Sequence, residues 1–109
     1  LPYKTRPARA PGFSHNGSPL YLSEYGVVAY IPAGAKVPEE SWGYAGVEKT
    51  ADAALDRINS LTGAIRAMPL FIGFCYTQLT DVEQEVNGLL TYDRKPKFDP
   101  KQLKEIFEQ

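Results

Sequence analysis

Glu24 is the residue whose neighbours best suit it to chemistry. It ends the apolar run Leu20-Tyr21-Leu22 and is followed by Tyr25 and Gly26. The stretch from Pro19 to Gly26 therefore reads as a short buried strand that stops at a carboxylate and then changes direction at glycine. A carboxylate at the C-terminal end of a buried strand is how α/β barrels present a catalytic group. An exposed glutamate at a loop entrance would leave the same pattern, so the stretch alone is only a hypothesis.

Other reactive residue types are sparse. Cys75 is the only cysteine and His15 the only histidine. The thiol lies within the apolar run Leu70–Tyr76 and is expected to be buried and inert. The imidazole lies about sixty residues away in a Gly/Ser/Asn segment. Neither a Cys–His nucleophile nor a zinc site is expected from one residue of each. The segment 27–46 is long and carries Tyr30, Trp42 and Tyr44. Aromatic rings in a long loop beside a carboxylate suit a sugar site, since flat rings stack on the apolar faces of sugars. Rings that merely cover the core would look the same.

The elements that position these residues follow from periodicity. Residues 47–68 repeat apolar side chains (Ala51, Ala54, Leu55, Ile58, Leu61, Ile65, Met68) at three- and four-residue spacing, which predicts a helix ending before Pro69. Leu70–Tyr76 is apolar at consecutive positions, the pattern of a parallel strand covered on both faces. A second helix is predicted from Pro100, with Asp99 as N-cap. Residues 1–18 read as loop. The order is strand, loop, helix, strand, loop, helix, and parallel strands joined through a helix call for a right-handed crossover.

The 109 residues suffice for one domain with a modest core. Net charge is -1, which gives no electrostatic footprint for nucleic acid or an anionic membrane. No apolar run reaches membrane-spanning length. Two parallel strands leave unpaired edges, so the chain reads as a piece of a larger protein or as one that self-associates. A start at Leu1 and not Met is expected of a processed product or of a fragment.

The run Gly73 to Lys97, and its ending Asp93-Arg94-Lys95-Pro96-Lys97 above all, resembles the last strand and following loop of bacterial glycoside hydrolase family 2 catalytic domains. Ser23-Glu24-Tyr25-Gly26 resembles the seventh strand of that family, and Trp42-Gly43-Tyr44 the loop after it. The resemblance spans nearly everything from Pro19 onward. It implies an α/β fold: strands 7 and 8 of a (β/α)8 TIM barrel with their helices, residues 1–18 a loop, 19–68 one βα unit and 69–109 the next.

It further implies a retaining β-glycosidase that needs no cofactor. Retention uses two carboxylates roughly 5–5.5 Å apart, one as nucleophile and one as acid/base. Glu24 takes the place of the nucleophile, and Tyr25, Trp42 and Tyr76 are candidate substrate-binding residues. The family's acid/base belongs to an Asn-Glu pair that this chain lacks. The resemblance assigns no such role to Asp81, Glu83 or Glu85, so the chain alone is expected to be inactive. Its expected partners are a carbohydrate substrate and the remainder of the barrel. Glu85-Val86-Asn87 stands where β-glucuronidases of the family carry Asn-x-Lys. The missing cation favours a neutral sugar such as galactose over a uronic acid, with mannose open. The competing expectation is a non-catalytic piece that binds carbohydrate or only self-associates.

Overall fold

The computed structural model describes residues 12–41 and 46–109. The elements in chain order are β1 (Leu20–Gly26), β2 (Ala29–Tyr30), β3 (Val47–Glu48), α1 (Ala51–Arg66), β4 (Phe71–Thr77) and α2 (Pro100–Phe107). β1 pairs in parallel with β4, and β2 in parallel with β3.

Local chemistry sets the helix ends. Thr50 caps α1, its side chain accepting from the Ala53 N–H at 3.1 Å. Asp52 in the first turn and Arg66 in the last complement the helix dipole. Asp99 caps α2 by accepting from the Lys101 N–H, and Pro100 takes the first position, where no donor is needed. The Arg66 guanidinium donates to the Ile106 and Phe107 carbonyls, which α2 leaves without helical partners, and lies 5.6 Å from the Phe74 ring centre. One side chain thus ties α1, α2 and β4 together.

The core sits between α1 and the segments that cross it. Val28, Ala54, Leu55, Ile58, Phe98 and Ile106 form its buried centre. The α1 stripe supplies half of these, as its period requires.

The arrangement corrects the barrel expectation. The described residues form two helices and four short strands in two small parallel sheets, not strands 7 and 8 of a (β/α)8 barrel with their helices. In a barrel every strand pairs on both sides. Among the described residues β1 and β4 pair only with each other, and β2 pairs with β3 instead of extending that sheet. β4 is also not covered on both faces: Ile72 is 73% exposed. Cys75 is likewise exposed, against the expectation of a buried thiol. The segment read as one long loop contains β2.

Candidate functional site: a bulged strand end beside a clamped loop

The β1–β4 register explains the placement of Glu24. Leu22 aligns with Phe74 and Tyr25 with Tyr76, so β1 advances three residues while β4 advances two. Ser23 and Glu24 together oppose Cys75. This is a β-bulge, uncommon in parallel pairs and a device that re-aims side chains. Strict alternation would put Glu24 on the side of Leu20 and Leu22. The extra residue gives that side to Tyr25 instead, and both Ser23 and Glu24 are exposed. Among the described residues, no hydrogen bond or ion pair engages the Glu24 carboxylate.

Tyr25 anchors the bulge. It is 8% exposed, its hydroxyl is 2.9 Å from Thr62 Oγ1 on α1, and its ring meets Phe74 and Tyr76 edge-on. Burial pushes its phenol pKa up, against the pull of the Thr62 hydrogen bond. Gly26 follows with φ of 102° and lies against the Tyr76 ring. A Cβ there would come within 2.3 Å of Tyr76 Cε2, so only glycine fits. Val27 is held at φ 51°, sparsely populated for a β-branched residue, and its N–H donates to Thr77 O at 3.0 Å. Two successive left-handed residues turn the chain sharply just beyond Glu24.

Tyr76 closes the other strand. Its ring packs between Tyr25 and Phe107, and burial strongly raises its phenol pKa. Trp42 lies outside the described residues, as does Tyr44. Tyr30 turns its ring toward Phe98, with centroids 5.6 Å apart. His15 sits in an exposed local turn, its Nε2 2.8 Å from Ser18 O.

The loop after β4 is built around Lys97. Its ammonium donates to Asp81 Oδ1 at 2.7 Å, to Tyr30 O at 2.7 Å and to Val86 O at 3.0 Å. The Lys97 side chain is fully buried and that of Asp81 nearly so. Three donor hydrogens meeting three acceptors satisfies the ammonium. Burial pushes its pKa below the ordinary lysine value, and Asp81 partly restores it. Asp81 Oδ1 also accepts from Gly88 N–H at 2.8 Å. A Cβ on Gly88 would lie 2.3 Å from the Asp81 nitrogen, which explains a glycine there. Asp81 is therefore committed to structure, and Glu85 accepts from Asn87 Nδ2 at 2.7 Å. Lys97 escaped sequence reasoning as a structural residue. The signal available was a lysine closing a run otherwise read as a family motif.

The structure brings Tyr25 and Tyr76 together beneath the strand ends, with Glu24 on the exposed side of the same bulge. The chain matches no protein-family model, and no curated protein matches it.

Proposed function

We propose that this chain is part of a retaining β-glycosidase acting on a neutral, β-galactoside-like sugar, with Glu24 as the nucleophile. The observation that carries the reading is the bulge, which turns outward a carboxylate with no partner among the described residues, from a strand whose next residue is pinned in the core. An anchored backbone fixes a nucleophile's position, and an exposed carboxylate stays available for attack on an anomeric carbon. The two sequence stretches that resemble family 2 glycoside hydrolases lend further support.

In this reading Glu24 attacks the anomeric carbon, and a glycosyl ester forms as the leaving oxygen takes a proton from a second carboxylic acid. That second group then draws a proton from water, which cleaves the ester. In the family that the sequence resembles, the acid/base is the Glu of an Asn-Glu pair that this chain lacks, and Asp81 is tied to Lys97. The acid/base is therefore assigned to a part of the protein outside these residues, and the isolated chain is inactive. Tyr25 and Tyr76 act by holding the strand ends, and Trp42 by stacking on the sugar.

The test is turnover of nitrophenyl β-galactoside and β-mannoside. The full reading frame carrying this sequence should hydrolyse one of them and lose at least about a thousandfold in rate on Glu24→Gln, an effect of the size expected for a catalytic group. The 109-residue chain should show no turnover. Full activity of the Gln variant would sink the proposal.

The second reading is a non-catalytic carbohydrate-binding module. The observation favouring it is a groove beside the clamped loop, which does not involve Glu24.

A further inference from the structure

A groove of about 600 Å³ runs between residues 32–36 and 91–96, and a neighbouring one of about 340 Å³ continues it past Pro38 and Glu83. Lys36 and Tyr92 line both, so they form one path. Volumes of roughly 300–1,000 Å³ are usual for small-ligand sites. Glu24 lines neither groove.

Both walls are set before any ligand arrives. Thr91 Oγ1 donates to Asp93 Oδ1 at 2.6 Å and accepts from the Lys95 N–H at 3.0 Å. Lys95 Nζ stands 2.9 Å from Asp93 Oδ2. Across the groove, the Ala35 N–H donates to Pro32 O in a tight turn. Lys97, next in the chain to Pro96, bonds Tyr30 O two residues before Pro32 and so ties the two walled segments together. Preorganised walls cost a ligand little ordering entropy.

The lining chemistry narrows the ligand. Tyr92 is 65% exposed, a large ring left in solvent where a core would have taken it. Its face offers an apolar platform. The charges around it balance: Lys36 and Lys95 against Asp93 and Glu83, while Asp81 is already neutralised by Lys97. Balanced charge gives no net field to draw an anion or a cation. Donors and acceptors on both rims beside an aromatic face suit a neutral polyhydroxylated ligand.

We propose that this groove binds a neutral oligosaccharide, with Tyr92 as its stacking platform and Lys36, Asp93 and Lys95 bonding its hydroxyls. This rests on the carbohydrate reading above and adds a binding site separate from Glu24. The two grooves share Lys36 and Tyr92, so the ligand is placed across both as a chain of sugars.

The test is amide chemical-shift titration of the 109-residue chain with β-1,4-linked galactotetraose and, separately, mannotetraose. One of them should shift the amides of residues 32–38 and 91–96. Tyr92→Ala should weaken that binding about tenfold, the scale of one lost aromatic contact. Tyr92→Phe should preserve it. Tyr92 is exposed, so both variants keep the fold, and the spectrum of each free variant reports this directly. Glu24→Gln should leave the titration unchanged, so the outcome is independent of the nucleophile assignment. Shifts confined to residues near Glu24, no shifts with either saccharide, or equal affinity in Tyr92→Ala would each overturn the proposal.

Discussion

The bulged end of β1 and the loop from Gln78 to Phe98 use opposite means to fix a shape. The loop buries its charges: Lys97, Asp81 and the carbonyls of Tyr30 and Val86 satisfy one another out of solvent. The strand end buries an aromatic ring and leaves its charge outside. A carboxylate buried like Asp81, with Oδ1 accepting from both Lys97 Nζ and Gly88 N–H, is held as part of the fold, whereas one presented like Glu24 costs no stability to keep available. Glu24 and Asp81 are therefore told apart by what they touch. Their place in a motif does not separate them.

The largest expected effect comes from breaking the loop. Lys97→Met leaves the Asp81 carboxylate buried without its cation and should destabilise the fold by about 3–5 kcal/mol in denaturant unfolding. A loss below about 1 kcal/mol would mean that the clamp is not closed in solution.

Breaking the strand anchor should cost less. Thr62→Val removes the partner of the Tyr25 hydroxyl and leaves it buried and unpaired, for a loss of about 1–3 kcal/mol. In the full protein it should also lower turnover, because the bulge loses its pin. Unchanged stability would show that the hydroxyl finds another partner.

Alkaline pH sharpens the contrast further. The Tyr25 and Tyr76 phenols have pKa values raised by burial above the ordinary 10.0. The unfolded chain releases these protons first, so their contribution is complete below about pH 10 and is lost as pH rises past it. Lys97, lowered from 10.5, acts with the opposite sign, since the unfolded chain holds its proton longer. Comparing the parent with Tyr76→Phe removes the lysine from the difference. The Phe variant should show a shallower loss of stability above pH 10 in thermal unfolding, and identical slopes would contradict the burial of that hydroxyl.

The smallest effect on stability should come from Glu24→Gln, within about 0.5 kcal/mol, as expected for an exposed side chain without partners among the described residues. A larger loss would place Glu24 among the structural carboxylates and erase the distinction between the two regions.

Much of this was legible in the sequence, for reasons that residues make plain. The apolar period of Ala51 to Met68 placed α1, and Asp99-Pro100 marked the start of α2, because both signals are local. The expected helix from residue 47 began too early, since Val47–Glu48 form β3 and Thr50 caps α1. The arrangement of the strands was not legible. Whether β1 and β4 gain further neighbours depends on pairing that no local pattern encodes, and β2 at two residues is too short to show a period. The side of the strand on which Glu24 stands was hidden by the bulge, which shifts the alternation by one without a distinctive residue. The role of Lys97 was hidden by distance, its partners lying 16 and 67 residues away in the chain.

The central claim is that Glu24 forms a covalent bond with the sugar. The most direct measurement is the intact mass, followed by peptide mapping, of the full protein treated with a 2-deoxy-2-fluoro-β-galactoside bearing a good leaving group, or its manno counterpart. The fluorine slows hydrolysis of the glycosyl ester so that it accumulates. A single fluorosugar adduct on the peptide containing Glu24, absent in Glu24→Gln, is the predicted result. An adduct on another carboxylate, or turnover of the reagent with no adduct at Glu24, would contradict it.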